Sequence, residues 1–144
     1  MDIMKTFGKA VWSGGIKDGK GAISTASGAL SAYPYGFASR FEGQPGTNPE
    51  ELIGAAHAGC FTMALSGMLG AAGFTAEEME TKAEVTLEKG TDGFTITAVH
   101  LTLRAKIPGI AADAFQALAA KAEAGCPVSR VLKADISLDA ALVP

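Results

Sequence analysis

Residues Thr47–Glu78, "TNPEELIGAAHAGCFTMALSGMLGAAGFTAEE", hold no Asp, Glu, Lys or Arg between Glu51 and Glu77. The entry to this run is a helix start. Asn48 suits the cap position, Pro49 the first helical position, and Glu51 stands three after the cap, where a capping-box carboxylate belongs. Gly73 suits the C-terminal cap. The pattern predicts a helix of about 24 residues, about 36 Å long at 1.5 Å per residue. It contains Cys60, one of two cysteines in the chain. Three readings compete for it: a membrane span, a buried structural helix, or a frame for a reactive thiol.

Length and lack of charge fit a membrane span. Composition argues against one. The run is rich in Ala and Gly, contains His57, and has neither a Lys/Arg-rich flank nor an aromatic belt. A helix apolar on every side must be covered on every side. The small residues Gly54, Ala55, Ala56, Ala58, Gly59, Ala64, Gly67 and Gly70 allow a second backbone to approach closely. The expectation is a homodimer with paired central helices.

Outward from this helix the pattern changes. Residues 8–14 and 21–26 read as short strands joined by a turn, and 27–47 as a long irregular segment. Residues 82–89 alternate as a strand. So do 93–107, with a change of phase: Phe94 and Ile96 fall on one parity, Val99, Leu101, Leu103 and Ile107 on the other. A bulge near Ala98 is expected. Residues 110–124 form an amphipathic helix. A second short helix opens at Pro127 with Cys126 as its cap residue, and 134–142 is a final strand. Strands at both ends with helices between give an α+β class with a mainly antiparallel sheet.

The 144 residues carry a net charge of −3, with twelve scattered Lys and Arg. Nucleic acid and anionic membrane both require a concentrated basic face, so neither is expected as a partner. The N-terminal MDIMKTFGKAVW has no basic region followed by an apolar stretch, so no secretory signal is expected. Two cysteines in that setting point to a reducing, cytoplasmic compartment. No linker interrupts the chain, and a single domain over 1–144 is expected.

A cysteine in an apolar helix is ordinarily a small buried hydrophobe, inert unless a cation lowers its pKa. His57 and Cys60 are three apart and share a helical face. A Cys–His nucleophile pair, a zinc site from His57, Cys60 and Cys126, and a plain core histidine all remain open.

"PYGFASRFEG" (34–43), "GTNPEELIGAAHAGCFTMAL" (46–65) and "AGCPVSRVLKADISLDAAL" (124–142) closely resemble the OsmC family, the osmotically inducible relatives of the organic hydroperoxide resistance (Ohr) proteins. The likeness runs from Gly8 to the C-terminus. It implies a thiol-dependent peroxidase of oxidative and osmotic stress defence, acting on organic hydroperoxides and less well on hydrogen peroxide. It also implies one OsmC-like domain in an intertwined homodimer, with mainly antiparallel sheets around long central helices and sites at the subunit interface. By position, Cys60 would be the peroxidatic thiolate and Cys126 the resolving thiol. Arg40 would favour the thiolate and orient the peroxide, held by Glu50. No cofactor is implied, only an external dithiol, a lipoyl dithiol among the candidates. The Ohr branch carries its arginine in the N-terminal hairpin. This chain has Ile16, Lys17 and Asp18 there and no arginine before Arg40, which favours the OsmC branch.

Phe61, Met63, Met68 and Phe74, or their partner copies, are candidates for an apolar substrate wall. Glu50 and Cys60 raise a difficulty. Ten residues of unbroken helix separate them by about 15 Å and roughly 80° of rotation. Either the helix breaks near Gly54 or Gly59, or Glu50 comes from the partner chain; the second is favoured because the run has no internal proline. A different class of function also stands open: a non-enzymatic dimer binding a small apolar ligand, its cysteines structural.

Overall fold

The computed structural model describes residues 3–144, which form two compact units divided between residues 49 and 50. In the N-terminal unit, β1 (Gly8–Ser13), β2 (Lys20–Thr25) and β3 (Tyr33–Tyr35) make an antiparallel sheet in that order. Trp12, Gly21 and Tyr35 lie in one cross-strand row. Gly21 is required there: a Cβ would collide with both rings, which instead meet edge to face at 5.6 Å between centroids.

The segment 27–47, expected to be irregular throughout, contains β3 and a short helix, α1 (Phe37–Phe41). Its order comes from hydrogen bonds between residues distant in sequence. The Ser39 hydroxyl accepts the Gly36 N–H at 2.9 Å and donates to the Thr47 carbonyl at 2.9 Å. The Thr47 N–H reaches Pro34 O at 2.9 Å. Such ties leave no periodic trace in the sequence.

The second unit is built on α2 (Pro49–Ala71), a single unbroken helix of 23 residues. It ends in a Schellman motif. Gly73 has φ +88°, the Phe74 N–H reaches Leu69 O at 2.8 Å, and the Gly73 N–H reaches Gly70 O at 3.1 Å. Strands β4 (Glu78–Gly90), β5 (Gly93–Lys106) and β6 (Asp135–Leu142) form the second sheet. The expected bulge is present: Thr86 pairs with Ala98 but Leu87 with Ile96, leaving Thr97 as the extra residue. It turns Val99, Leu101, Leu103 and Ala105 inward, all fully buried.

Between β5 and β6 lie α3 (Ala112–Gly125) and α4 (Pro127–Val131). This crossover lets β6 pair parallel to β5, while β4 and β5 are antiparallel. The fold is α+β, with two three-stranded sheets and one parallel pairing in the second.

One face of the second sheet is the core. Gly54, His57, Phe61, Leu65 and Leu69 form the buried stripe of α2. Gly54 lets the helix lie on β4, since a Cβ there would sit 3.0 Å from Ala83 O. Phe115, Ala119 and Ala122 of α3 complete the core. Phe61 therefore fills the core and does not form a substrate wall, whereas Met63 is 79% exposed. The opposite side of α2, including Ala55, Gly59, Met63, Gly67 and Gly70, faces outward in the single chain. The helix is long and apolar enough to cross a membrane by length and composition.

Candidate active site

Proline positions the second cysteine. Pro127 disfavours a helical conformation at the residue before it, and Cys126 takes φ −59°, ψ 128°. The Cys126 N–H closes α3 on Ala122 O at 2.9 Å, and its carbonyl accepts the Arg130 N–H at 3.0 Å as α4 begins. Cys126 is thus fixed at a sharp junction between two helices and is fully buried. Cys60, half-buried on α2, lies against it; both thiols are free and hydrogen-bonded to each other.

The two sulfurs share a proton unequally. Burial pushes the Cys60 thiol up, and Cys126 pushes it the same way through the hydrogen bond and through its charge; the Val128 amide opposes this. Burial also raises Cys126, but this is outweighed by hydrogen bonding from Cys60, from the Ser129 and Val128 amides and from the Ser129 hydroxyl, so its pKa is lowered. The amides act as dipoles facing the sulfur, without a side-chain cap bond of strict geometry. In this geometry Cys126 is the more acidic thiol of the pair and Cys60 the less acidic. The groups that move Cys60 include no cation.

His57 is fully buried, one turn before Cys60, and its Nε2 lies 2.7 Å from Ser129 Oγ. Burial lowers its pKa, so the ring is neutral. The shared face of His57 and Cys60 was legible in their spacing; the histidine's hydrogen-bond partner was not. Ser129 itself was missed. Its available signal was local: it stands three residues after the cap residue Cys126, where a short polar side chain reaches back to the cap. No three His, Cys, Asp or Glu side chains are grouped for a metal ion among the described residues.

Of the four expected site residues, the second unit brings Cys60 and Cys126 together. Glu50 is in the first turn of α2, and the unbroken helix excludes a bend that would carry it to Cys60. Arg40 lies on α1 in the first unit. Its guanidinium carbon is 5.1 Å from the Phe41 ring centroid, beside a concavity of about 310 Å³ lined by Trp12, Ile16, Tyr35, Phe37 and Phe41.

A long apolar helix carrying one thiol, with a second held against it by a helix–Pro–helix junction, defines a dithiol protein of α+β build. The chain belongs to the OsmC family: the family described as OsmC-like protein matches residues 41–141. It is 59% identical to Peroxiredoxin OsmC of Escherichia coli over 132 residues, 92% of each chain. Among solved structures it resembles the organic hydroperoxide resistance protein OhrB of Bacillus subtilis, with TM-score 0.70, 27% identity and coverage of 95% of this chain and 98% of that one. It also resembles an organic hydroperoxide resistance protein OsmC from Legionella pneumophila, with TM-score 0.73, 25% identity and complete coverage of both.

Proposed function

We propose that this chain is a thiol-dependent peroxidase that reduces organic hydroperoxides, and hydrogen peroxide less well, in cytoplasmic stress defence. The observation that carries the reading is the contact between Cys60 and Cys126, two free thiols ready to become one disulfide. The relative named Peroxiredoxin OsmC and the two hydroperoxide resistance proteins support the same reading.

In the proposed cycle the Cys60 thiolate attacks a peroxide oxygen. The O–O bond breaks, the product leaves as an alcohol after gaining a proton, and Cys60 becomes a sulfenic acid. Cys126 then attacks the Cys60 sulfur, water leaves, and a disulfide forms. An external dithiol, such as a lipoyl group, restores both thiols by exchange. No bound cofactor is needed for these steps. Thiolate, not thiol, is the nucleophile, and the neighbours of Cys60 within its own unit keep it protonated. A cation is therefore required, and Arg40 is the proposed source, oriented by Glu50.

The outward face of α2 supports a homodimer in which a second copy covers it, the two units of each chain serving one OsmC-like domain. Gly67 has open space around it in the single chain, so a side chain there meets no internal obstacle. Gly67→Glu is expected to give monomer, because burying an unpaired charge in a helix pair costs several kcal/mol. Sedimentation equilibrium checks this; a monomeric wild type, or an undisturbed Gly67→Glu dimer, would refute the covered face.

The activity itself is tested with clean reduced protein, cumene hydroperoxide and excess dithiothreitol. Catalytic loss of the hydroperoxide is expected, and after one equivalent without reductant, peptide mapping should show a Cys60–Cys126 link. Binding of the hydroperoxide's apolar body without turnover would favour a ligand-binding module.

A further inference from the structure

The catalytic cycle proposed above leaves one buried polar group unused. His57 is fully enclosed in the core, and its Nδ1 has no hydrogen-bond partner among the described residues. An apolar side chain of similar size would fill that space without the desolvation cost. What the ring does make is a hydrogen bond between Nε2 and Ser129 Oγ, at 2.7 Å. A ring nitrogen and a hydroxyl can each donate or accept, so this bond is satisfied in either neutral tautomer.

The bond joins the two segments that carry the thiols. His57 stands three residues before Cys60 on α2, on the same helical face. Ser129 stands three residues after Cys126, on α4. Cys60 packs against the buried cluster to which Cys126 belongs. α4 has five residues, and so short a helix has little stability of its own. Pro127, Arg130 and Val131 are exposed, so α4 is fastened through Val128, Ser129 and, just beyond its end, Leu132. The apolar packing of Val128 and Leu132 is non-directional and leaves a short helix free to slide or turn. A hydrogen bond constrains both distance and angle.

We propose that His57 and Ser129 are positioning residues whose hydrogen bond straps α4 to α2 and holds Cys126 within reach of Cys60, favouring the disulfide over two separate thiols. The inference rests on the reading of these cysteines as a redox pair, and not on which of them attacks the peroxide. The strap acts by raising the effective concentration of one thiol at the other, as a short linker does for two tethered groups.

The test is a redox equilibrium with glutathione. One protein dithiol and one glutathione disulfide give one protein disulfide and two glutathione thiols. The glutathione S–S bond breaks, the Cys60–Cys126 bond forms, and the two cysteine protons end on the glutathione sulfurs. Wild type and variants are equilibrated at graded ratios of reduced to oxidised glutathione, and the Cys60–Cys126 link is quantified by peptide mapping after acid quench. Ser129→Ala is expected to lower the equilibrium constant for the disulfide about tenfold, the size of one well-made hydrogen bond. For this two-electron couple that is a shift of about 30 mV towards a more oxidising potential. His57→Leu is expected to match it. His57→Gln sets an amide nitrogen near the position of Nε2 and is expected to stay within about threefold of wild type, as the threshold for a retained bond. The chain carrying both His57→Leu and Ser129→Ala should lose no more than either single variant, because both changes remove the same bond; independent packing losses add instead. If His57→Leu fails to fold, the contrast between Ser129→Ala and His57→Gln decides, since neither empties the core. A wild-type constant in Ser129→Ala, or additive losses in the double variant, would overturn the strap and leave the peroxidase reading intact. A wild type that forms no Cys60–Cys126 link at any glutathione ratio would overturn the redox pair, and the strap with it.

Discussion

Replacing Cys60 with serine is expected to reduce hydroperoxide turnover to the uncatalysed background. A serine hydroxyl does not ionise in the range where a thiol does, and only the sulfur anion attacks the peroxide bond at a useful rate. Cys126→Ser is expected to behave differently. It should consume one equivalent of hydroperoxide per chain rapidly and then stall, with Cys60 held as sulfenic acid and drifting to sulfinic acid, because no neighbouring thiol captures it. A stopped-flow burst with mass analysis of the Cys60 peptide distinguishes the two variants. The comparison matters because the second unit's own groups make Cys126 the more acidic thiol and Cys60 the less acidic one. If those groups alone governed the reaction, Cys126 would be the attacking thiolate. The burst would then survive in Cys60→Ser and vanish in Cys126→Ser. Retention of the burst in Cys126→Ser makes Cys60 the attacking thiol, and slowing of that burst by Arg40→Ala is the expected mark of the cation proposed there.

Features governed by local chemistry were legible in the sequence. Pro49 begins α2 and Gly73 closes it, as a fixed φ and a positive φ require. The parity change around Ala98 gave the bulge at Thr97, because a one-residue insertion reverses which side chains face the core. Pro127 gave the helix junction that sets Cys126 in place. Features governed by distant pairing were not legible. The strand β3 is three residues long with Pro34 in its centre, too short for alternation to register, and it exists because β2 offers it an edge. The parallel union of β5 and β6 follows from a crossover through two helices, which no single-segment pattern reports. At the site, the thiol pair was reached through family resemblance and is seen as a contact. Ser129 escaped notice because a serine early in a short helix is locally unremarkable and gains its meaning only from His57, 72 residues away.

The largest gain of activity is expected from mixing two inactive chains. The unbroken α2 separates Glu50 from Cys60 by about 15 Å along the axis and roughly 80° around it, so the two do not meet on one helix. An isologous pair of such helices running antiparallel brings the start of one towards the middle of the other. Each site is then expected to combine Cys60 and Cys126 of one subunit with Glu50 and Arg40 of its partner. Chains carrying Cys60→Ser and chains carrying Arg40→Ala should each be inactive as homodimers. In a heterodimer one site receives both lesions and the other receives neither. Co-refolding the two chains is therefore expected to raise turnover from background to about half the wild-type value per heterodimer, as the symmetry of two equivalent sites dictates. If all four residues came from one chain, each heterodimer site would contain one lesion, and the mixture would be as inactive as its parents. Recovery measured against the heterodimer fraction, separated by a charge tag on one chain, decides between the two arrangements. It also isolates the contribution of Arg40, since the wild-type thiols of the Arg40→Ala chain become active only if a wild-type arginine arrives from the other subunit.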